Sequence, residues 1–335
     1  MVLPAFVVAQ VATTITLDSS LPFNTVVTQI GDVHSIEAGT VRGQNQFHSF
    51  SQFDLGTGQI ASFNGPATIV NILSRVTGGV PSSIDGTLRS SIEGTNMFFL
   101  NPAGVIFGAE AKLDLTGSFH VSTADFLRFE DDATFYADAS LDRNPDSILT
   151  AAPLKGFGFL NNPTTFGFTN TSPESLVFEG ADFQVSEGET ISVVGGDIIL
   201  KSRGIGNDSH SASLSAEGGL IHVVSIKSSS EVPVDMQEFE ASTIEHYGEI
   251  ILSDEAAITT NGVRGGAVVI RSGRLVMDDS EISVNTRNGN GNPIGIDIHT
   301  KKDIVLTHNS RITSNTHGSG QAGNIHEYFV PNPES

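Results

Sequence analysis

Four histidines, His299, His308, His317 and His326, recur every nine residues, and imidazole is a common ligand for zinc and copper. The repeat in this region is nearly thirty residues long, so positions nine apart are expected on different faces, as surface side chains and not as a metal centre. Glu130-Asp131-Asp132 and Asp278-Asp279 offer carboxylates for calcium or for paired acid–base hydrolysis. Neighbours on a strand point to opposite faces, so neither cluster is a ready-made site. Gly318-Ser319-Gly320-Gln321-Ala322-Gly323 has the spacing of a dinucleotide fingerprint, but no strand–helix–strand unit surrounds it. No nucleophile elbow or phosphate loop is present. With no Trp and three Tyr, flat faces on which to lay a sugar ring are scarce. The expectation is no catalytic residue, no metal and no cofactor; a secreted β-helix polysaccharide lyase or hydrolase is the enzyme alternative.

The elements that would position any site are strands. Thirty-five Gly, 13 Pro and only 16% charged residues suit strands and turns better than helices. Period-two alternation recurs in short runs bounded by Gly, Asn or Asp: Leu113/Leu115, Phe119/Val121, Ile191/Val193, Ile198/Leu200 and Leu220/His222/Val224/Ile226. Only a stretch such as Met236 to His246 has room for a turn or two of helix. Thirty-eight acidic against 17 basic side chains give a formal charge of −21, which repels phosphate backbones and excludes nucleic acid as an expected partner. There is no cysteine, so packing and hydrogen-bonded ladders must supply the stability. Met1 to Ala9 reads as the tail of a truncated signal peptide.

Ala257-Ile258-Thr259-Thr260-Asn261, Glu281-Ile282-Ser283-Val284-Asn285 and Arg311-Ile312-Thr313-Ser314-Asn315 are copies of one pattern, offset by 24 and then 30 residues. Each is preceded by an apolar strand and followed by a Gly-rich turn. Several short strands per long repeat describe one coil of a parallel β-helix, with strands of successive coils about 4.8 Å apart. Asn261, Asn285 and Asn315 are then expected to stack as a ladder at a corner where the backbone turns left-handed. From about Phe129 to Glu179 the pattern weakens into loops spaced by Pro145, Pro153, Pro163 and Pro173, an excursion from the helix. A further coil begins at Gly323-Asn324-Ile325 and stops at Pro331-Asn332-Pro333; a solenoid normally ends in a cap, so either the natural chain continues or the gene is a remnant.

The densest block is Ile69 to Asp125. It contains Arg75, Gly78-Gly79, Asp85-Gly86, Asn96 and Asn101-Pro102-Ala103-Gly104, followed by Gly108, Gly117 and Ser122-Thr123-Ala124-Asp125. Asn, then Pro with its preset φ, then Gly at the fourth place favour a type I turn, here between the apolar runs Phe98–Leu100 and Val105–Phe107.

This block resembles the haemagglutination-activity, or two-partner secretion, domain of filamentous-haemagglutinin-like exoproteins, in its cyanobacterial-like branch, most clearly over Ile15 to Asp125. The family's Asn-Pro-Asn-Gly motif has Ala103 at its third place here, and a second, Asn-Pro-Asn-Leu motif has no match. The resemblance implies an all-β fold: a right-handed, single-stranded parallel β-helix with an N-terminal cap and extra-helical loops or hairpins. The likeness extends more loosely to about Ile226; together with the signal-peptide pattern and the C-terminal repeat, it gives an expected division into a leader remnant 1–9, a secretion domain 10–245 and continuing coils 246–330. It implies a non-enzymatic export signal at the head of a large adhesin-like protein, exported through the periplasm and outer membrane to the cell surface or medium. The implied partner is an outer-membrane barrel whose periplasmic polypeptide-transport domains bind the unfolded segment, with the chain otherwise monomeric. Strands around Phe98–Leu100 and Val105–Phe107 are candidates for strand addition to that partner.

Overall fold

The computed structural model describes residues 11–141, 149–160, 175–203, 210–236 and 244–329. Three sheets run along it, parallel except where Thr25–Ile30 joins Val33–Ala38 antiparallel at one end, because the chain visits each in turn and then climbs one coil. The first stacks Asn45–Asp54, Asn71–Val76, Asn96–Leu100, Phe119–Ser122, Thr190–Gly195, Leu220–Ser225, Ala267–Ser272, Ile296–Thr300 and Ile325–Phe329. The second runs from Ser82–Ile84 through Val105–Phe107, Leu176–Glu179, Ile198–Lys201, Glu249–Ser253 and Arg274–Asp278 to Ile304–Thr307. The third side is split. Its N-terminal part holds Thr25–Ile30, Val33–Ala38, Ile60–Phe63, Thr87–Ser90 and Lys112–Asp114; its C-terminal part holds Asp182–Val185, Ser213–Ala216, Ala257–Thr259, Glu281–Ser283 and Arg311–Thr313. At the N-terminal end Thr14–Leu17 pairs antiparallel with Asn45–Asp54 and forms part of a cap.

Register makes the core. Ile84, Phe107, Phe178, Leu200, Leu252, Met277 and Leu306 stack in one column of the second sheet. Phe183, Leu214, Ile258, Ile282 and Ile312 do the same on the third side. Like side chains one above another bury their flanks at each rung, and a one-residue slip would turn every one of them outward. Phe residues cluster here: the Phe107 ring lies 4.9 Å from Phe178 and 4.8 Å from Phe183.

The excursion differs from the expected loops. Thr134–Tyr136, Phe126–Phe129, Leu154–Phe159 and Ser230–Pro233 form a separate antiparallel sheet. Leu127, Phe129, Phe135, Phe157 and Val232 pack it onto the outer side of the first helical sheet, against Phe47, Leu73, Phe98, Leu100, Val194 and Val224. Its strands come from two distant parts of the chain, so no local repeat announces it. Pro153 lies within the described residues; Pro145, Pro163 and Pro173 lie outside them, as do Met1 to Gln10 and most of Met236 to His246. The described residues contain one short 3₁₀ turn, Ala139–Leu141, and no helix long and apolar enough to cross a membrane.

Candidate functional site: the Asn101 corner and its supports

The strand Asn96–Leu100 runs straight into the corner Asn101-Pro102-Ala103-Gly104. Gly104 N–H donates to the Asn101 carbonyl at 3.0 Å, closing the expected β-turn. Inside it, the Asn101 side-chain carbonyl accepts from Ala103 N–H at 3.0 Å, an Asx turn. The Asn101 amide then donates to the Val80 carbonyl and to Ser82 Oγ, both at 3.0 Å, in the coil below. Asn101 is only 1% exposed, so one side chain both shapes the corner and ties it to its neighbour. Gly104 has φ 110°, which side chains with a Cβ rarely adopt. Pro102 and Ala103 are half-buried, while Val80 and Ile106 on either flank are exposed.

Arg75 is fully buried. Its Nε donates to Ser49 Oγ and one Nη to Ser20 Oγ, both at 2.8 Å, and the other Nη donates to the Tyr136 carbonyl. The guanidinium also sits 4.6 Å above the Phe135 ring. One side chain therefore joins the cap, the helix and the extra-helical sheet. Beside it, burial tends to raise the Asp18 carboxyl, but donors from Ser20, Thr77 and Ser49 outweigh burial and hold it below the usual range.

Asp85 bridges coils, accepting from Thr57 Oγ1 at 2.5 Å and from Glu110 N–H at 3.0 Å. Gly78, Gly86 and Gly117 lie where a Cβ would fall within 1.9, 2.4 and 2.5 Å of backbone oxygen in an adjacent coil. Gly108 would meet the Asp85 carboxylate, and Gly79 turns with φ 70°.

Asn96 belongs to a ladder that the sequence reading missed. Asn71 Nδ2 donates to Asn45 Oδ1 at 2.9 Å and Asn96 Nδ2 donates to Asn71 Oδ1 at 3.2 Å. Asn96 Oδ1 then accepts from Ser118 N–H at 3.1 Å. The available signal was an Asn at the first position of three successive strands. Asn261, Asn285 and Asn315 stack in order, but by another bond: Asn285 N–H donates to Asn261 Oδ1 at 2.5 Å and Asn315 N–H to Asn285 Oδ1 at 3.0 Å. Their backbones are not left-handed. That conformation falls at the opposite end of the same strands, at Asp254, Asp279 and His308 (φ 58°, 48° and 51°).

The spaced histidines separate only partly. His308 lies at a corner, where its pairing with Asp278 raises its pKa and lowers that of the aspartate. His299 and His326 come back to one face, because Tyr328 stacks on His299 and His326 on Asp297 in adjacent coils. Tyr328 lies 4.7 Å from the His299 ring and 6.0 Å from that of His326. Among the described residues no three His, Asp or Glu side chains are placed to hold a metal ion. Gly318, Ser319 and Gly320 stack over Arg287 to Asn290 of the preceding coil, as a solenoid turn.

The model of the TPS secretion domain matches residues 13–289. The chain belongs to the TPS secretion domain family. Among solved structures it is similar to the filamentous hemagglutinin secretion domain, at 12% identity over 92% of this chain and 99% of that one, with a TM-score of 0.44. It is also similar to the HMW1 secretion domain from Haemophilus influenzae, at 14% identity over 94% and 100%, with a TM-score of 0.35. No curated protein matches. TPS domains are secretion modules of the kind found at the N-terminus of large exoproteins, which reach the cell surface or medium with a cognate outer-membrane transporter. This favours the secretion reading over the polysaccharide enzyme.

Proposed function

We propose that this TPS domain is a non-catalytic export label read by the periplasmic polypeptide-transport domains of its transporter, passed unfolded through the barrel as a single chain and folded outside. The observation that carries the reading is the Asn101 corner. Its turn chemistry is local, so a four-residue segment can pre-form before any coil exists, and the same residues then lock to Val80 and Ser82 once the coil below is present. The strands Asn96–Leu100 and Val105–Phe107 on either side supply apolar side chains on both faces for strand addition while the chain is extended. Asn101, Pro102, Ala103 and Gly104 form the secretion motif in this proposal, with Arg75, Gly78, Gly79, Asp85, Gly86, Asn96, Gly108 and Gly117 as its structural support. Each coil rests on the one before it, so folding can advance as the chain emerges. The test is co-expression with the transporter, following wild type, Asn101→Ala and Gly104→Val in the medium. Both variants are expected to be retained, while export of both at the wild-type rate refutes the assignment.

A further inference from the structure

The N-terminal sheet of the third side has an open edge. Its last strand, Thr25–Ile30, pairs among the described residues only with Val33–Ala38, in an antiparallel register without a bulge. Val26 is 49% exposed and Ile30 75%, the highest exposure of any large apolar side chain among the described residues. Thr28, also exposed, lies between them on the same outward side. Proteins usually guard such an edge with lysine, proline or a bulge. The segment Thr-Val-Val-Thr-Gln-Ile carries none of these, and it is uncharged in a chain of formal charge −21.

The chemistry of the edge selects its occupant. An antiparallel strand is its own complement about a twofold axis, provided residues of equal parity oppose one another so that both copies keep the same face inward. An axis at Thr28 sets Val26 against Ile30 of the second copy, Thr28 against Thr28, and Ile30 against Val26. All three are favourable cross-strand pairs. Since the strand brings no charge to the contact, the repulsion between two acidic molecules is not focused there. We infer that Thr25–Ile30 is a homotypic interface, at which two copies of this chain pair antiparallel about Thr28 and join their N-terminal sheets. A contact of one strand and its flanks falls below about 1,200 Å², the size of transient interfaces, so the dimer is weak. This departs from the single-chain expectation and holds whether or not the export reading does.

The chain has no cysteine, so Thr28→Cys introduces a unique reporter. Opposed Cα atoms in such a pair lie about 4.5–5.5 Å apart, within disulfide reach. Under mild oxidation Thr28→Cys should form a covalent dimer several-fold faster than Asn309→Cys, which places an exposed thiol on a distant corner. Sedimentation of the 335-residue protein from micromolar to near-millimolar concentration should show reversible dimerisation. Thr28→Lys, which opposes two like charges, should abolish it without moving the urea midpoint. A monomer at every concentration, equal crosslinking of the two cysteine variants, or a dimer that survives Thr28→Lys would each overturn the inference.

Discussion

Replacing Arg75 with methionine roughly keeps the side-chain volume and removes every donor of the guanidinium. The Tyr136 carbonyl then loses the donor that ties it to the helix, worth about 1–3 kcal/mol if no water reaches it. The contact with the Phe135 ring adds about 2 kcal/mol in a dry site. Methionine avoids the desolvation of a buried cation, which offsets part of this loss, so we expect a net cost of about 3 kcal/mol. In a solenoid that cost is local. Amide exchange should accelerate by about a hundredfold at Thr134–Tyr136 and around Ser20, while Ala267–Ser272, several coils away, keeps its protection. Arg75→Lys should recover only part of the loss, because an ammonium cannot reach Ser20, Ser49 and Tyr136 from one planar fork. The assay is native-state hydrogen exchange resolved by residue. Exchange within about threefold of wild type at both cap and hairpin would refute the claim that Arg75 joins them.

Burial lowers the pKa of His120 to about 3 and of His222 to about 4. Their folded values lie below the unfolded value near 6.5, so the stability they secure is complete above that pH and lost as pH falls toward 4 and then 3. Asp125 acts in the opposite sense, since burial raises it to about 6 and its contribution is lost as pH rises from about 4 to 6; Asp125→Asn should therefore raise the urea midpoint at pH 7 and steepen the acid loss. Asn71→Ala orphans Asn45 Oδ1 and Asn96 Nδ2 together and is expected to cost about 1–3 kcal/mol in urea denaturation. Gly78→Ala, whose Cβ would fall 1.9 Å from the Ser51 carbonyl, should cost about 1–3 kcal/mol by the same assay.

The coils were legible where the chain repeats itself. Ile258, Ile282 and Ile312 recur with their asparagines at intervals of 24 and 30 residues, each one coil long, and the structure puts them in one column. The Asn101 corner was legible because its turn is made from its own four residues. Features that depend on register between distant segments are not legible in the sequence. The Asn45–Asn71–Asn96 ladder lies outside the clear repeats, and the extra-helical sheet joins Phe126–Phe159 to Ser230–Pro233 across two coils. Propensity alone favours left-handed geometry at the asparagines. It falls instead at Asp254, Asp279 and His308, where the chain leaves the second sheet and turns within a few residues onto the third. Nine-residue spacing alone does not reveal that His299 and His326 return to one face. Three such steps nearly equal one coil.

The most direct test of the account places this chain behind a cleavable signal peptide and ahead of a reporter, in cells with and without the cognate outer-membrane transporter. The reporter should reach the medium only when the transporter is present, and it should stay in the periplasm without it. Equal release in both strains would contradict the reading of this β-helix as an export label.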